Sequence, residues 1–269
     1  MRPVALVTGA AGGVGRATAT LLADRGMVVV GADTADGSDL ERQLRERDPA
    51  CLIARADVSS ARDVAAVTAE AAKRGTLTTV VNTAAILACH DVVATAEAEW
   101  DRLFEVNVKG TYLVCQAAIP LLRSGGGGCV INVSSVHAMA TVKNLAAYAA
   151  SKGAVLALSR QMALDYCADN IRVVPLVLGS VDTEMSRQHA RAQGLVPAPP
   201  DPDSRRVGRV ATPAEVARLI AQLASPEAGL ITGSPVIADG GMLSMLAIDG
   251  DLPRPARRAV SGMRGRACV

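Results

Sequence analysis

Short apolar runs alternate with stretches of helical spacing along most of the chain. Residues 4–7 form the first run, and residues 14–25 then repeat apolar positions every three to four residues. Runs at 27–32 and 51–56 are each followed by a helical stretch, near 39–47 and 61–74. Further runs lie at 77–81, 129–133, 171–178 and 235–238. The spacing predicts one long helix over 97–123 and another over 147–167. Residues 213–224 read as a helix with Pro213 in its first turn behind a Thr212 cap.

The runs are almost continuous in Val, Ile and Leu, which is the pattern of strands buried on both faces. Strand–helix alternation of this kind predicts an α/β fold, a parallel sheet with helices on both sides. Two stretches break the rhythm. Residues 193–206 carry Gly194, Pro197, Pro199, Pro200 and Pro202, and are expected to form a long loop acting as a lid. Residues 249–269 are arginine-rich, with few large apolar side chains, and are expected to be a flexible tail after a single domain over 1–248.

Composition narrows the function classes. The 269 residues are 50% hydrophobic and 20% charged, enough to bury a sizeable core. A net charge of +2 argues against a nucleic-acid partner. The aromatic residues are Trp100, Phe104, Tyr112, Tyr148 and Tyr166, too few for a base-stacking surface. Six scattered cysteines form no CxxC pair and no zinc spacing, so no metal site is expected, and they read as reduced thiols of a cytoplasmic protein. The apolar run at the N-terminus is too short for a signal peptide, and no run of about 18 apolar residues predicts a membrane span.

The first strand leads into Thr8-Gly9-Ala10-Ala11-Gly12-Gly13-Val14-Gly15, where a helix opens. Glycines there allow a tight turn and let backbone N–H groups and the helix N-terminus face a pyrophosphate. The fold expected is therefore Rossmann-like and doubly wound. The second strand ends at Asp33, whose carboxylate would accept from adenosine ribose hydroxyls and repel a 2′-phosphate, so NAD is expected rather than NADP. Arg16 is the cation nearby, and it reads as a helix-surface charge. Asp57 follows the third strand and either meets the adenine edge or caps the next helix.

Tyr148 and Lys152 lie four apart on one helix face, and Ser135 stands thirteen residues before Tyr148, past the fifth strand. A nearby ammonium favours a tyrosinate and lowers the phenol pKa, the requirement for a base acting on an alcohol. With the Thr8–Gly15 turn, Asn82, Asn107, Thr183 and Asp239-Gly240-Gly241 in this order, the chain resembles the short-chain dehydrogenase/reductase family over residues 4–242. The resemblance implies catalytic roles for Asn107, Ser135, Tyr148 and Lys152, with Asn107 holding a water behind Lys152. It implies a cofactor site of Gly9, Gly12, Gly13, Val14, Gly15, Asp33, Asp57, Val58, Asn82, Ala84, Tyr148, Lys152, Gly179, Val181 and Thr183. It implies a substrate site of Ser135, His137, Tyr148 and Met185, for a small-molecule alcohol or ketone. It also implies a homotetramer, with Ala149, Ala150, Gly153, Ala154 and Ala157 permitting close helix packing.

Departures from the family pattern fall beside the cofactor site. Ala85 stands where the family has glycine, and its methyl fits if its φ is negative. Leu178 replaces a proline before Gly179, and Val174 a frequent asparagine. His90 and His189 read as surface residues, and Arg187 and Arg191 as helix-surface charges rather than contacts to an anionic substrate. Two alternatives remain to the NAD-dependent alcohol dehydrogenase. One is an NADPH-dependent ketoreductase acting on acyl-carrier-protein substrates, whose docking arginines correspond here to Gly126 and Asp169. The other is a cofactor-binding regulator that catalyses nothing.

Overall fold

The computed structural model describes residues 2–192, 194–196, 199–200 and 207–245. The expected tail, and most of the expected lid, lie outside the described residues. The seven apolar runs are seven strands: β1 (Pro3–Thr8), β2 (Val28–Asp33), β3 (Leu52–Arg55), β4 (Thr76–Asn82), β5 (Gly128–Ser135), β6 (Ile171–Leu178) and β7 (Val236–Ala238). All neighbours pair in parallel, in the order β3-β2-β1-β4-β5-β6-β7.

Successive side chains of a strand point to opposite faces, and β1 supplies a core on each. Val4 and Leu6 pack with Val64 and Val67 of helix α3 (Ala61–Arg74), Val114 and Ile119 of α5 (Gly110–Ser124), and Met162 of α6 (Ala146–Asp165). Ala5 and Val7 pack with Leu22 of α1 (Gly13–Asp24), Leu40 and Leu44 of α2 (Ser38–Arg45), and Ile220 of α8 (Pro213–Leu223). Val174 belongs to this second core and is fully buried, so the asparagine position has become a packing position.

The single helix expected over 97–123 is interrupted. Helix α4 (Glu97–Phe104) runs into a π-helical turn at Glu105–Lys109 before α5 begins. Such a turn inserts a residue without ending the apolar periodicity, so the pattern reads through it, and π-turns recur at functional sites. Here it carries Asn107, which is 1% exposed. Helix α7 (Glu184–Ala192) had no predicted bounds, although Arg187 and Arg191 read as helix-surface charges. It buries none of its residues, so it has no apolar stripe to read. Its first turn is closed by bonds between Thr183 and Ser186, and Glu184 pairs with Arg187 and Arg191.

The expected Thr212 cap is part of a full capping box. The Thr212 hydroxyl accepts from the Glu215 amide (3.2 Å), and the Glu215 carboxylate accepts from the Thr212 amide (2.8 Å). Arg209 adds an ion pair to Glu215 at 2.7 Å. That guanidinium, with the Thr212 amide, holds the Glu215 carboxyl down at about 2. A depressed carboxylate pKa stabilises the fold above its ordinary value of 4.5 and stops doing so as pH falls toward about 2. Glu215→Gln is expected to lower the unfolding free energy near neutral pH by about 1–2 kcal/mol. Urea denaturation at several pH values checks this, since the difference from the parent chain should shrink between pH 4.5 and 2.

Candidate active site

A cavity of ≈ 700 Å³ opens over the carboxyl ends of the strands, with walls from both halves of the sheet. The strand order reverses between β1 and β4, and in open α/β sheets ligands bind at that crevice.

The turn after β1 lines the cavity and is built around absent side chains. A Cβ on Gly15 would lie 2.1 Å from the Gly9 carbonyl oxygen, and one on Gly9 would lie 2.9 Å from the Ala84 nitrogen. Gly9 also has φ +65°, which side chains rarely adopt. Gly12 differs, because a Cβ there would meet nothing within 4 Å. The turn is thus packed tightly against β4's end through Gly9 and Gly15, and left open at Gly12. Thr83 donates its hydroxyl to the Thr8 carbonyl, and the Ala84 amide donates to the Thr8 hydroxyl.

Asp33 reaches back from β2 to accept from the Ala11 amide at 2.9 Å, while its other oxygen accepts from Ala35. Each oxygen retains acceptor capacity toward the cavity. Arg16 is committed to Asp39 through two bonds, the shorter 2.6 Å. Asp57 does not cap α3. Ser60 does, accepting from the Asp63 amide, and Asp57 instead turns back onto Ser59 and pairs with Arg102 at 2.8 Å. The cavity takes in every residue expected at the cofactor site except Asn82. Asn82 lies beneath it, donating to Asn132 at 2.8 Å within a buried amide network.

Gly179 lines the cavity for a reason other than the expected freedom of φ. Its φ is not positive, but a Cβ would fall 2.7 Å from the Asp239 backbone, so close approach demands glycine. Ala85 also avoids positive φ, as the fit of its methyl requires. Val181 bridges to Ala211 and lines the cavity with Thr183 after β6, while Val58 lines it after β3.

Ser135, Tyr148 and Lys152 converge on the far wall, together with His137 and Met185. Tyr148 and Lys152 come from adjacent turns of α6, the lysine Nζ sitting 5.7 Å from the ring centre. Lys152 donates to the Val133 carbonyl at 3.0 Å, and Ser134 donates to the Lys152 carbonyl at 2.9 Å. The expected lowering of the Tyr148 pKa is not what the protein groups produce. Burial pushes the phenol up to about 12, and the hydrogen bond with Ser135 only partly offsets this. The same burial brings Lys152 down to about 8. Asn107 lies behind this cluster and does not line the cavity. Its amide accepts from the Ile86 N–H (2.8 Å) and donates to the Ile86 carbonyl (3.0 Å) and the Ser151 hydroxyl (3.1 Å).

Comparison with known proteins bears directly on this arrangement. A family model described as Enoyl-(Acyl carrier protein) reductase matches residues 9–243. Cyclopentanol dehydrogenase from Comamonas sp. (strain NCIMB 9872) is 35% identical over 88% of this chain and 96% of its own length. Cis-4-hydroxycyclohexanecarboxylate dehydrogenase from Sinomonas cyclohexanicum is 36% identical over 88% and 95%. The crystal structure of levodione reductase superposes with a TM-score of 0.81 at 27% identity, covering 91% of this chain and 98% of that one. The chain belongs to the short-chain dehydrogenase/reductase family. It is an oxidoreductase of the kind that acts on CH–OH groups with a nicotinamide cofactor.

Its cavity fits the family's cofactor class. The open face at Gly12, backbone amides at the start of α1, and the Asp33 carboxylate suit a dinucleotide. Among residues the sequence pattern missed, Arg102 lines the cavity beside Asp57. His189 does too, although it reads as a surface residue. It sits on α7, whose bounds were not predicted, so no signal marked its direction. Arg187 and Arg191 behave as expected, held in ion pairs with Asp182 and Glu184.

Asn107 spends three hydrogen bonds tying the loop after β4 to α6. Asn107→Ala is expected to cost about 1–3 kcal/mol of stability, because it removes a buried amide and leaves the Ser151 hydroxyl and the part-buried Ile86 backbone without these bonds. Urea denaturation checks this, and an unchanged midpoint would show the bonds to be dispensable.

Proposed function

We propose that this protein is an NAD-dependent oxidoreductase that interconverts a secondary alcohol and its ketone, with Tyr148 as general acid/base. One observation carries the reading: the Tyr148 phenol, the Lys152 ammonium and the Ser135 hydroxyl meet, nearly buried, in the cavity that Asp33 also lines. The nicotinamide, when bound, supplies the hydride acceptor for oxidation and the donor for reduction. Ser135 hydrogen-bonds the substrate oxygen and holds it beside Tyr148. Tyr148 takes the hydroxyl proton in oxidation and returns it in reduction. Lys152 keeps a positive charge beside the ring and so favours the tyrosinate that accepts the substrate proton. Asn107 keeps α6 in register with the loop after β4, a positioning role.

Preference for NAD rests on Asp33, whose carboxylate repels a 2′-phosphate, and on the engagement of Arg16 by Asp39. Relatives named for cyclopentanol and hydroxycyclohexanecarboxylate support a cyclic alcohol. So do the apolar Ile86, Leu87, Val136, Val142 and Met185 around the catalytic wall. The carrier-protein alternative lacks docking charge, since Gly126 has none and Asp169 is paired with Arg123. A homotetramer in the cytoplasm completes the reading. It is supported by Gly153, above which lies open space, and by Ala150 and Ala157, exposed on α6. No helix among the described residues is long and apolar enough to cross a membrane.

Tyr148→Phe is expected to reduce turnover by about 10²–10⁴-fold in both directions, with cofactor binding retained. Steady-state kinetics and a fluorescence titration of NADH check the two halves, and near-parental turnover would contradict the assignment. With the phenol held high, alcohol oxidation should rise with pH through neutrality and level off above about 8, where Lys152 loses its proton. Ketone reduction, which needs the protonated phenol, should not rise over the same range.

A further inference from the structure

Two histidines stand over the catalytic tyrosine. The His137 ring meets Tyr148 edge-on at 6.1 Å between centroids, and His189 meets His137 edge-on at 5.9 Å. Both line the cavity. His137 has a partner at Nδ1, the Thr141 hydroxyl at 3.3 Å. Among the described residues His189 has none at Nε2, although that atom is shielded from solvent. A buried polar atom without a partner is costly and uncommon. Here it belongs to a ring that borders the substrate end of a built cavity, so a ligand can supply the missing bond.

The surroundings restrict what that ligand group can be. Burial and the neighbouring His189 bring His137 down to about 4, and burial lowers His189 as well, so both rings are neutral near neutral pH. Among the described residues, the cations near this end are engaged. Arg187 pairs with Asp182 and Glu184, Arg191 with Glu184, and Lys152 donates to Val133. Glu184 itself lines the cavity and disfavours an anion. The other lining side chains at this end are the apolar Val136, Val142 and Met185 and the uncharged hydroxyls of Ser135, Thr183 and Ser186.

We propose that the His137–His189 pair determines specificity by binding a second, uncharged oxygen of the substrate, a hydroxyl or carbonyl distinct from the reacting carbinol. The inference rests on the alcohol–ketone reading above. It makes the substrate a diol or hydroxyketone built on an apolar frame, and it assigns His189 a contact with substrate.

The test compares cyclohexanol, cyclohexane-1,3-diol, cyclohexane-1,4-diol and 4-hydroxycyclohexanecarboxylate with NAD, in the parent chain and in His189→Leu and His189→Gln. At least one diol should exceed both cyclohexanol and the carboxylate by tenfold or more in kcat/KM, chiefly through KM. His189→Leu should bring the diol-to-cyclohexanol ratio close to one, and His189→Gln, which keeps an N–H and an oxygen, should restore part of it. An unchanged ratio in His189→Leu, or a preference for the carboxylate, overturns the proposal. Binding is read in parallel from imidazole proton resonances, since the chain has only three histidines. A diol that shifts the His137 and His189 signals without turnover upholds the inference and contradicts the alcohol–ketone reading. Turnover of all the alcohols alike with unmoved signals does the reverse, and neither turnover nor shifts contradicts both.

Discussion

The contact between Gly15 and the carbonyl of Gly9 is the constraint on which the rest of the site depends. Nothing larger than hydrogen fits there, and the same crowding recurs between Gly9 and Ala84. Because the turn closes so tightly, α1 starts directly over the end of β1 with its N-terminal amides facing the cavity. Asp33 then reaches the Ala11 amide from the neighbouring strand, joining the turn to β2. Thr83 and Ala84 join it to β4. The turn is thus held from both sides of the point where strand order reverses, and only Gly12 is left facing open space.

On the other side of that point, burial sets the electrostatics. Tyr148 and Lys152 are displaced in opposite directions by the same desolvation, each toward its neutral form. A phenol near 12 beside an amine near 8 makes a poor base in isolation. In the proposed reaction the positive nicotinamide ring offsets this when bound, so proton removal would be coupled to the cofactor being in place. The π-helical turn contributes by bringing Asn107 under this wall, where it clamps Ile86 and Ser151.

Much of this was legible in the residues. Central strands buried on both faces leave continuous Val and Ile runs, and the partly exposed edge strands β3 and β7 left shorter ones that were also readable. The glycine turn, Asp33, Ser135, Tyr148 and Lys152 combine residue type with spacing, and the cavity unites them. The rest required three dimensions. A π-turn preserves the apolar period, so the break in the helix over 97–123 left no trace. Helix α7 buries nothing, so neither its bounds nor the inward turn of His189 had a signal. Asp57 and Ser60 are both good capping types, and only the backbone path decided between them. Asn82 ends β4, and its side chain is engaged by Asn132 on the neighbouring strand instead of lining the cavity. The pKa of Tyr148 depends on burial, which spacing to a lysine does not report.

The central claim is that the glycine turn and Asp33 form a site for a dinucleotide without a 2′-phosphate. Side-by-side fluorescence titration of the purified protein with NADH and NADPH, at one ionic strength, tests it most directly. The account predicts NADH binding at least tenfold tighter, with the difference lost in Asp33→Ala. Tighter binding of NADPH, or binding of neither, would contradict it.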